Sequence, residues 1–123
     1  MHDGDVRIGH LALSVSDAER SRRFYLDEIG LTGTSTREDW GYRLRLDGAF
    51  MLALIEGDPL PGDVVERVHF GCHLPNAESV HQLRRRLGQA GIPEVEWVEE
   101  DGYTSLKVQD PDGYVVELSW DIQ

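Results

Sequence analysis

The feature that most constrains this chain is that it repeats itself. Ile8-Gly9-His10-Leu11-Ala12-Leu13-Ser14-Val15-Ser16-Asp17-Ala18-Glu19 aligns with Arg67-Val68-His69-Phe70-Gly71-Cys72-His73-Leu74-Pro75-Asn76-Ala77-Glu78 at an offset of 59. His10 meets His69, Val15 meets Leu74, Asp17 meets Asn76, and Ala-Glu meets Ala-Glu. Further along, Gly41-Tyr42 resembles Gly102-Tyr103, and Asp47-Gly48 resembles Asp112-Gly113. Two copies of about 50 residues in a chain of 123 fit one small domain built from two similar supersecondary units.

Each copy reads alike. Residues 8–15 alternate as a strand, with Leu11, Leu13 and Val15 on one face. Ser16 and Glu19 have capping-box spacing for a helix running through Phe24, Tyr25 and Ile29, which Gly30 and Gly33 end. Strands are predicted at about 34–39, 41–47 and 49–56. The second copy predicts a strand at 67–74 and a helix over about 77–90 with the stripe Ala77, Val80, Leu83, Leu87. Strands at about 94–99, 103–109 and 113–120 follow, the last two joined by the turn Asp110-Pro111-Asp112-Gly113. The predicted class is α+β: two tandem βαβββ modules, at about 6–56 and 67–121 of a single domain, forming a cupped, partly open mixed sheet.

Alternation then sorts side chains onto faces. With Leu11, Leu13 and Val15 under the first helix, His10, Ala12 and Ser14 face away from it. With Phe70, Cys72 and Leu74 packed, His69, Gly71 and His73 face away. With Val116, Leu118 and Trp120 packed, Val115, Glu117 and Ser119 face away. Two imidazoles and a carboxylate thus share a face with small residues beside them. Such a set suits Fe(II), Mn(II), Zn(II) or Ni(II) and leaves coordination positions for substrate. A lone strand histidine is more often structural; the repeat-related pair with Glu117 on the same face is what points to a metal. His73 is a candidate acid–base or hydrogen-bond donor, or simply a partly exposed structural histidine. Tyr103, Ser105, Lys107 and Gln109 alternate on the same face of the strand beside Glu117. Trp40, Tyr42, Phe50, Leu52 and Leu54 are candidates for an apolar wall, or for ordinary core. Cys72 reads as buried and inert.

The first strand His10-Leu-Ala-Leu-Ser-Val, Phe24-Tyr25 with Gly30-Leu31, His69 opening the second half, and Asp110-Pro-Asp-Gly-Tyr-Val-Val-Glu117-Leu118 together resemble the vicinal oxygen chelate superfamily, the glyoxalase, bleomycin-resistance and extradiol dioxygenase proteins. The resemblance covers residues 6–121. It implies a cupped sheet, commonly in a homodimer, with one divalent metal held at the positions of His10, His69 and Glu117. It implies an enzyme that binds adjacent oxygens of a small organic substrate; the candidate apolar wall suits one that is aromatic or apolar. Dioxygenase-like oxidation on Fe(II) is the first expectation. Redox-neutral lyase, isomerase or thiol-transfer chemistry on Mn, Zn or Ni is the second, and metal-free drug binding the third. The catalytic candidates are therefore His73 and Lys107 with Glu117, from the faces sorted above, and the candidate substrate contacts are Tyr42, Leu52, Tyr103 and Ser105, the last of which also matches a substrate-side serine of fosfomycin-modifying members.

The match has gaps. Glyoxalase I-like members carry a fourth ligand on the last strand of the first module, and aligning Asp47-Gly48 with Asp112-Gly113 puts Leu52 there. Extradiol members usually show tyrosine where Lys107 stands and a further histidine absent here. Fosfomycin-modifying members share the three ligands and a serine at Ser105, yet Ala12 replaces the hydroxyl residue expected beside the first ligand.

Composition narrows the partners. Twelve basic against 23 acidic residues give a net charge of −11, which disfavours nucleic acid and anionic membrane surfaces. The run Arg84-Arg85-Arg86 falls on a predicted helix and reads as its solvated face. A single cysteine, no apolar run near the roughly 20 residues that span a bilayer, and an acidic start without signal-peptide character lead to the expectation of a cytoplasmic protein.

Overall fold

A computed structural model describes residues 6–122; the acidic start, Met1 to Asp5, lies outside the described residues. The chain divides between Asp58 and Pro59 into two compact units. Each holds one four-stranded mixed sheet, and together they are the two βαβββ modules of the α+β class. Among the described residues no helix is long and apolar enough to cross a membrane.

The first unit runs β1 (His10–Val15), α1 (Ala18–Arg23), β2 (Gly33–Glu38), β3 (Gly41–Leu46) and β4 (Met51–Glu56), in sheet order β1-β4-β3-β2. The β1–β4 pairing is parallel, because α1 carries the chain across the sheet between them; β4–β3 and β3–β2 are antiparallel. The α1 cap is Asp17, one residue later than the capping box expected at Ser16: its carboxylate accepts from Arg20 N at 3.1 Å. The helix then widens into a π turn over Phe24–Glu28, closed by Ile29 N donating to Phe24 O at 2.8 Å. Phe24 and Tyr25 are fully buried there, edge to face at 5.0 Å.

The second unit runs α2 (Gly62–Val65), β5 (His69–His73), α3 (Ala77–Gln89), β6 (Glu94–Glu100), β7 (Tyr103–Gln109) and β8 (Val115–Asp121), in sheet order β5-β8-β7-β6. The short α2 was not foreseen; its four residues carry no hydrophobic period to read. Asn76 caps α3 in a reciprocal box with Ser79, and Val80, Leu83 and Leu87 form its buried stripe. The arginine run is not one free patch. Arg84 makes two bonds to Glu94, at 2.8 and 3.0 Å, and stacks over Trp97, while Arg85 reaches Glu78 at 3.3 Å.

The turn that aims β8 is fixed by Asp110, which is buried. Its Oδ1 accepts from Asp112 N and Tyr114 N, both at 2.9 Å, and Gly113 N donates to Asp110 O at 3.0 Å. Gly113 adopts φ +92°, which a side chain there would strain.

Candidate metal centre

The site-bearing strands are paired so that equivalent positions can be read directly. His69 pairs with Val115, Gly71 with Glu117 and His73 with Ser119; Glu117 in turn pairs with Lys107, Ser119 with Ser105, and Asp121 with Tyr103. Paired residues share a face. The face opposite α3 therefore carries His69, His73, Glu117, Tyr103, Ser105 and Lys107, as alternation had sorted them. Phe70, Cys72, Val116, Leu118, Leu106 and Val108 occupy the helix face. Burial there pushes the Cys72 thiol up to about 11, so at neutral pH it is almost wholly protonated and a poor nucleophile.

Within this unit His69 Nε2 stands 3.8 Å from Glu117 Oε1. The other carboxylate oxygen, Oε2, accepts from the Tyr103 hydroxyl at 3.2 Å. By register Tyr103 and Glu117 lie on either side of the Ser105–Ser119 pair. Their bond bridges over that pair, and Ser105 is only 1 % exposed. Its hydroxyl has no hydrogen-bond partner among the described residues. Ser105, expected at the substrate, is thus enclosed rather than presented.

Lys107 is directly across from Glu117, but its ammonium is tied to Glu96 Oε1 on β6 at 3.1 Å. Its pKa is raised, first by that hydrogen bond and further by the charges of Glu96 and Glu117, so it stays cationic. Sequence reading missed Glu96 because the register shifts between Glu94 and Glu96, which breaks the alternation that would have placed it. His73 is exposed at the end of β5, where it lines an open cleft of about 660 Å³ with Leu74, Pro75, Trp120, Asp121 and Ile122.

In the first unit His10 pairs with Met51, Ala12 with Ala53 and Ser14 with Ile55. His10 is exposed and lies on the face opposite α1. Two sequence expectations are corrected here. Tyr42 pairs with Leu54 and Leu44 with Leu52, on the side where Arg22 of α1 sits 5.4 Å over the Tyr42 ring. Tyr42, Leu52 and Leu54 therefore belong to the helix face, and none lines a wall beside His10. Moreover, Met51 answers to Val115 and Arg45 to Gln109, an offset of 64 rather than the 65 taken from the Asp-Gly match. The counterpart of Glu117 is Ala53, not Leu52. Among the described residues no group of three or more His, Cys, Asp or Glu side chains converges; the structure brings together His69 and Glu117, and places His10 at the register position equivalent to His69.

Residues 7–118 match the family model of the Glyoxalase/Bleomycin resistance protein/Dioxygenase superfamily. The chain belongs to that superfamily. A catechol-2,3-dioxygenase of Bacillus subtilis (strain 168) is 29% identical over 119 residues, covering 93% of this chain and 41% of that protein. The chain therefore spans about two-fifths of that relative's length. A possible glyoxalase from Bacillus cereus is 26% identical with a TM-score of 0.76, over 93% of this chain and 98% of that one. A glyoxalase/dioxygenase from Nostoc punctiforme shares the fold with a TM-score of 0.78 at 18% identity, over 95% and 92% of the two chains. At the register position equivalent to Glu117 the first unit carries Ala53, whose side chain has no donor atom.

Proposed function

We propose that this chain is a metal-dependent enzyme that binds a small organic substrate through adjacent oxygens, with His10, His69 and Glu117 holding one divalent ion and dioxygenase-like oxidation as its reaction. The observation that carries the reading is the His69–Glu117 pair at 3.8 Å on the face opposite α3. Donor atoms each about 2.1 Å from one ion lie roughly 3.0 to 3.4 Å apart at octahedral to tetrahedral angles. The pair is within a small side-chain adjustment of that span. Imidazole and carboxylate are also the donors that Fe(II), Mn(II), Zn(II) and Ni(II) accept. His10 occupies on β1 the register place that His69 occupies on β5, which supports it as the third ligand.

When bound, the ion supplies Lewis acidity toward substrate oxygens and, as Fe(II), access to O₂. The protein residues do the rest. Glu117 contributes charge through the oxygen that faces His69. Lys107, kept cationic by Glu96 across the strand from Glu117, offers a positive group to an anionic substrate oxygen. His73, on the same face two residues beyond His69, is the candidate to accept or deliver a proton. Ala53 favours the oxygen-dependent reading over glyoxalase I-like chemistry, since it supplies no fourth donor and an ion held by the three residues would keep more positions for substrate and O₂.

Anaerobic loading with Fe(II), then an oxygen-electrode screen with catechols, tests the reaction. Uptake is expected with at least one catechol and is expected to fall at least about 100-fold in Glu117→Gln. Retained iron with no uptake for any catechol would overturn oxygenase chemistry in favour of a redox-neutral reaction.

A further inference from the structure

Resting on the metal reading above, we infer that Tyr103 is a positioning residue that divides the two oxygens of Glu117, holding Oε2 so that Oε1 alone is presented to the ion. The two oxygens have different surroundings. Oε2 accepts from the Tyr103 hydroxyl at 3.2 Å, whereas Oε1 is the oxygen 3.8 Å from His69 Nε2. A free carboxylate on a mobile side chain can bind an ion through one oxygen or both; a hydrogen bond that holds the second oxygen favours binding through the first alone. A hydrogen bond of this kind also fixes the carboxylate plane, which is the usual work of a residue behind a metal ligand.

The strand register makes the division possible. Tyr103 pairs with Asp121 and Glu117 pairs with Lys107, so one strand pair, Ser105–Ser119, lies between them. Both intervening side chains are small, and they are buried at 1 % and 7 % exposure. A phenol and a glutamate leaning toward each other over two serines meet without obstruction; a larger side chain at either serine would stand in the way. Lys107, the direct cross-strand neighbour, does not compete for Oε2 because Glu96 holds its ammonium at 3.1 Å. Tyr103 is thereby the hydroxyl that Glu117 meets, and its expected contact with substrate becomes a contact with the ligand carboxylate.

The test is titration of Co(II) into wild-type protein, Tyr103→Phe, Tyr103→His and Glu117→Gln, with binding read by calorimetry and the coordination geometry by visible absorption. Tyr103→Phe keeps the ring and loses only the hydroxyl. It is expected to bind Co(II) about 10- to 100-fold more weakly, with a weaker visible band as the freed second oxygen raises the coordination number. Tyr103→His, which keeps a ring donor, is expected to recover part of both, and it carries the test if Tyr103→Phe does not fold. Wild-type and Tyr103→Phe proteins with equal affinity and superimposable spectra would overturn the positioning role alone, provided Glu117→Gln loses the metal. A folded wild-type protein that takes up no Co(II) would overturn the metal reading and this inference with it.

Discussion

Leu52 and Ala53 are neighbours on β4, yet only Ala53 shares the face of His10. Because side chains alternate, an error of one residue in matching two strands exchanges the faces completely. The Asp-Gly pair of the first module looks like that of the second, but Gly48 and Ala49 are both left-handed there, at φ +76° and +64°, and by register Ala49 answers to Gly113. The Gly-Tyr match slips in the opposite sense, with an offset of 61. Tyr103 answers to Asp39 at the offset of 64, three residues from Tyr42, and an odd slip again reverses the face. Dipeptide likeness at a turn reports turn chemistry, not strand register. Leu52, at 1 % exposure under α1, is a core residue. Leu52→Ala is expected to lower unfolding free energy by about 2–5 kcal/mol in urea denaturation, while the affinity for Mn(II) stays within about twofold. Lost affinity at unchanged stability would return Leu52 to the site.

At the scale of elements, the strands and helices that carry the candidate ligands were legible because each has one clean period. β1 and β5 alternate in burial, β8 alternates in residue type from Val116 to Asp121, and α3 shows its stripe at spacings of three and four. The parts that were not legible depend on interactions between elements. The π turn at Phe24–Glu28 and the shift between Glu94 and Glu96 are departures from a period, visible only once partners are in place. The β7–β8 turn was legible and also consequential, since it sets where β8 starts and so where Glu117 points. Asp110→Ala leaves two buried-turn N–H groups without their acceptor. It is expected to cost about 1–3 kcal/mol and to speed amide hydrogen exchange at Val115 to Glu117 more than in β1. Uniform exchange across both strands would contradict a local role for this turn.

At the scale of the whole molecule, the duplication made the reading possible, because it supplies two histidines at one register position and a glutamate beside only one of them. The asymmetry is chemical: Glu117 in the second module, Ala53 in the first. A chain of net charge −11 offers a divalent cation a favourable field in general, so weak surface binding must be separated from a defined centre. Sequence alternation placed His69, Glu117, Tyr103 and Lys107 together, and their distances then divided the work among them: one carboxylate oxygen toward His69, one toward Tyr103, and the ammonium toward Glu96. The most direct measurement is metal content and Mn(II) titration, at about 0.15 M salt to screen surface charge, of the wild-type chain beside His10→Ala, His69→Ala and Glu117→Gln. One tight site per wild-type chain is expected, lost in each of the three variants with circular dichroism and melting temperature retained. Equal binding by folded wild-type and variant proteins, or none by the wild type, would contradict the assignment.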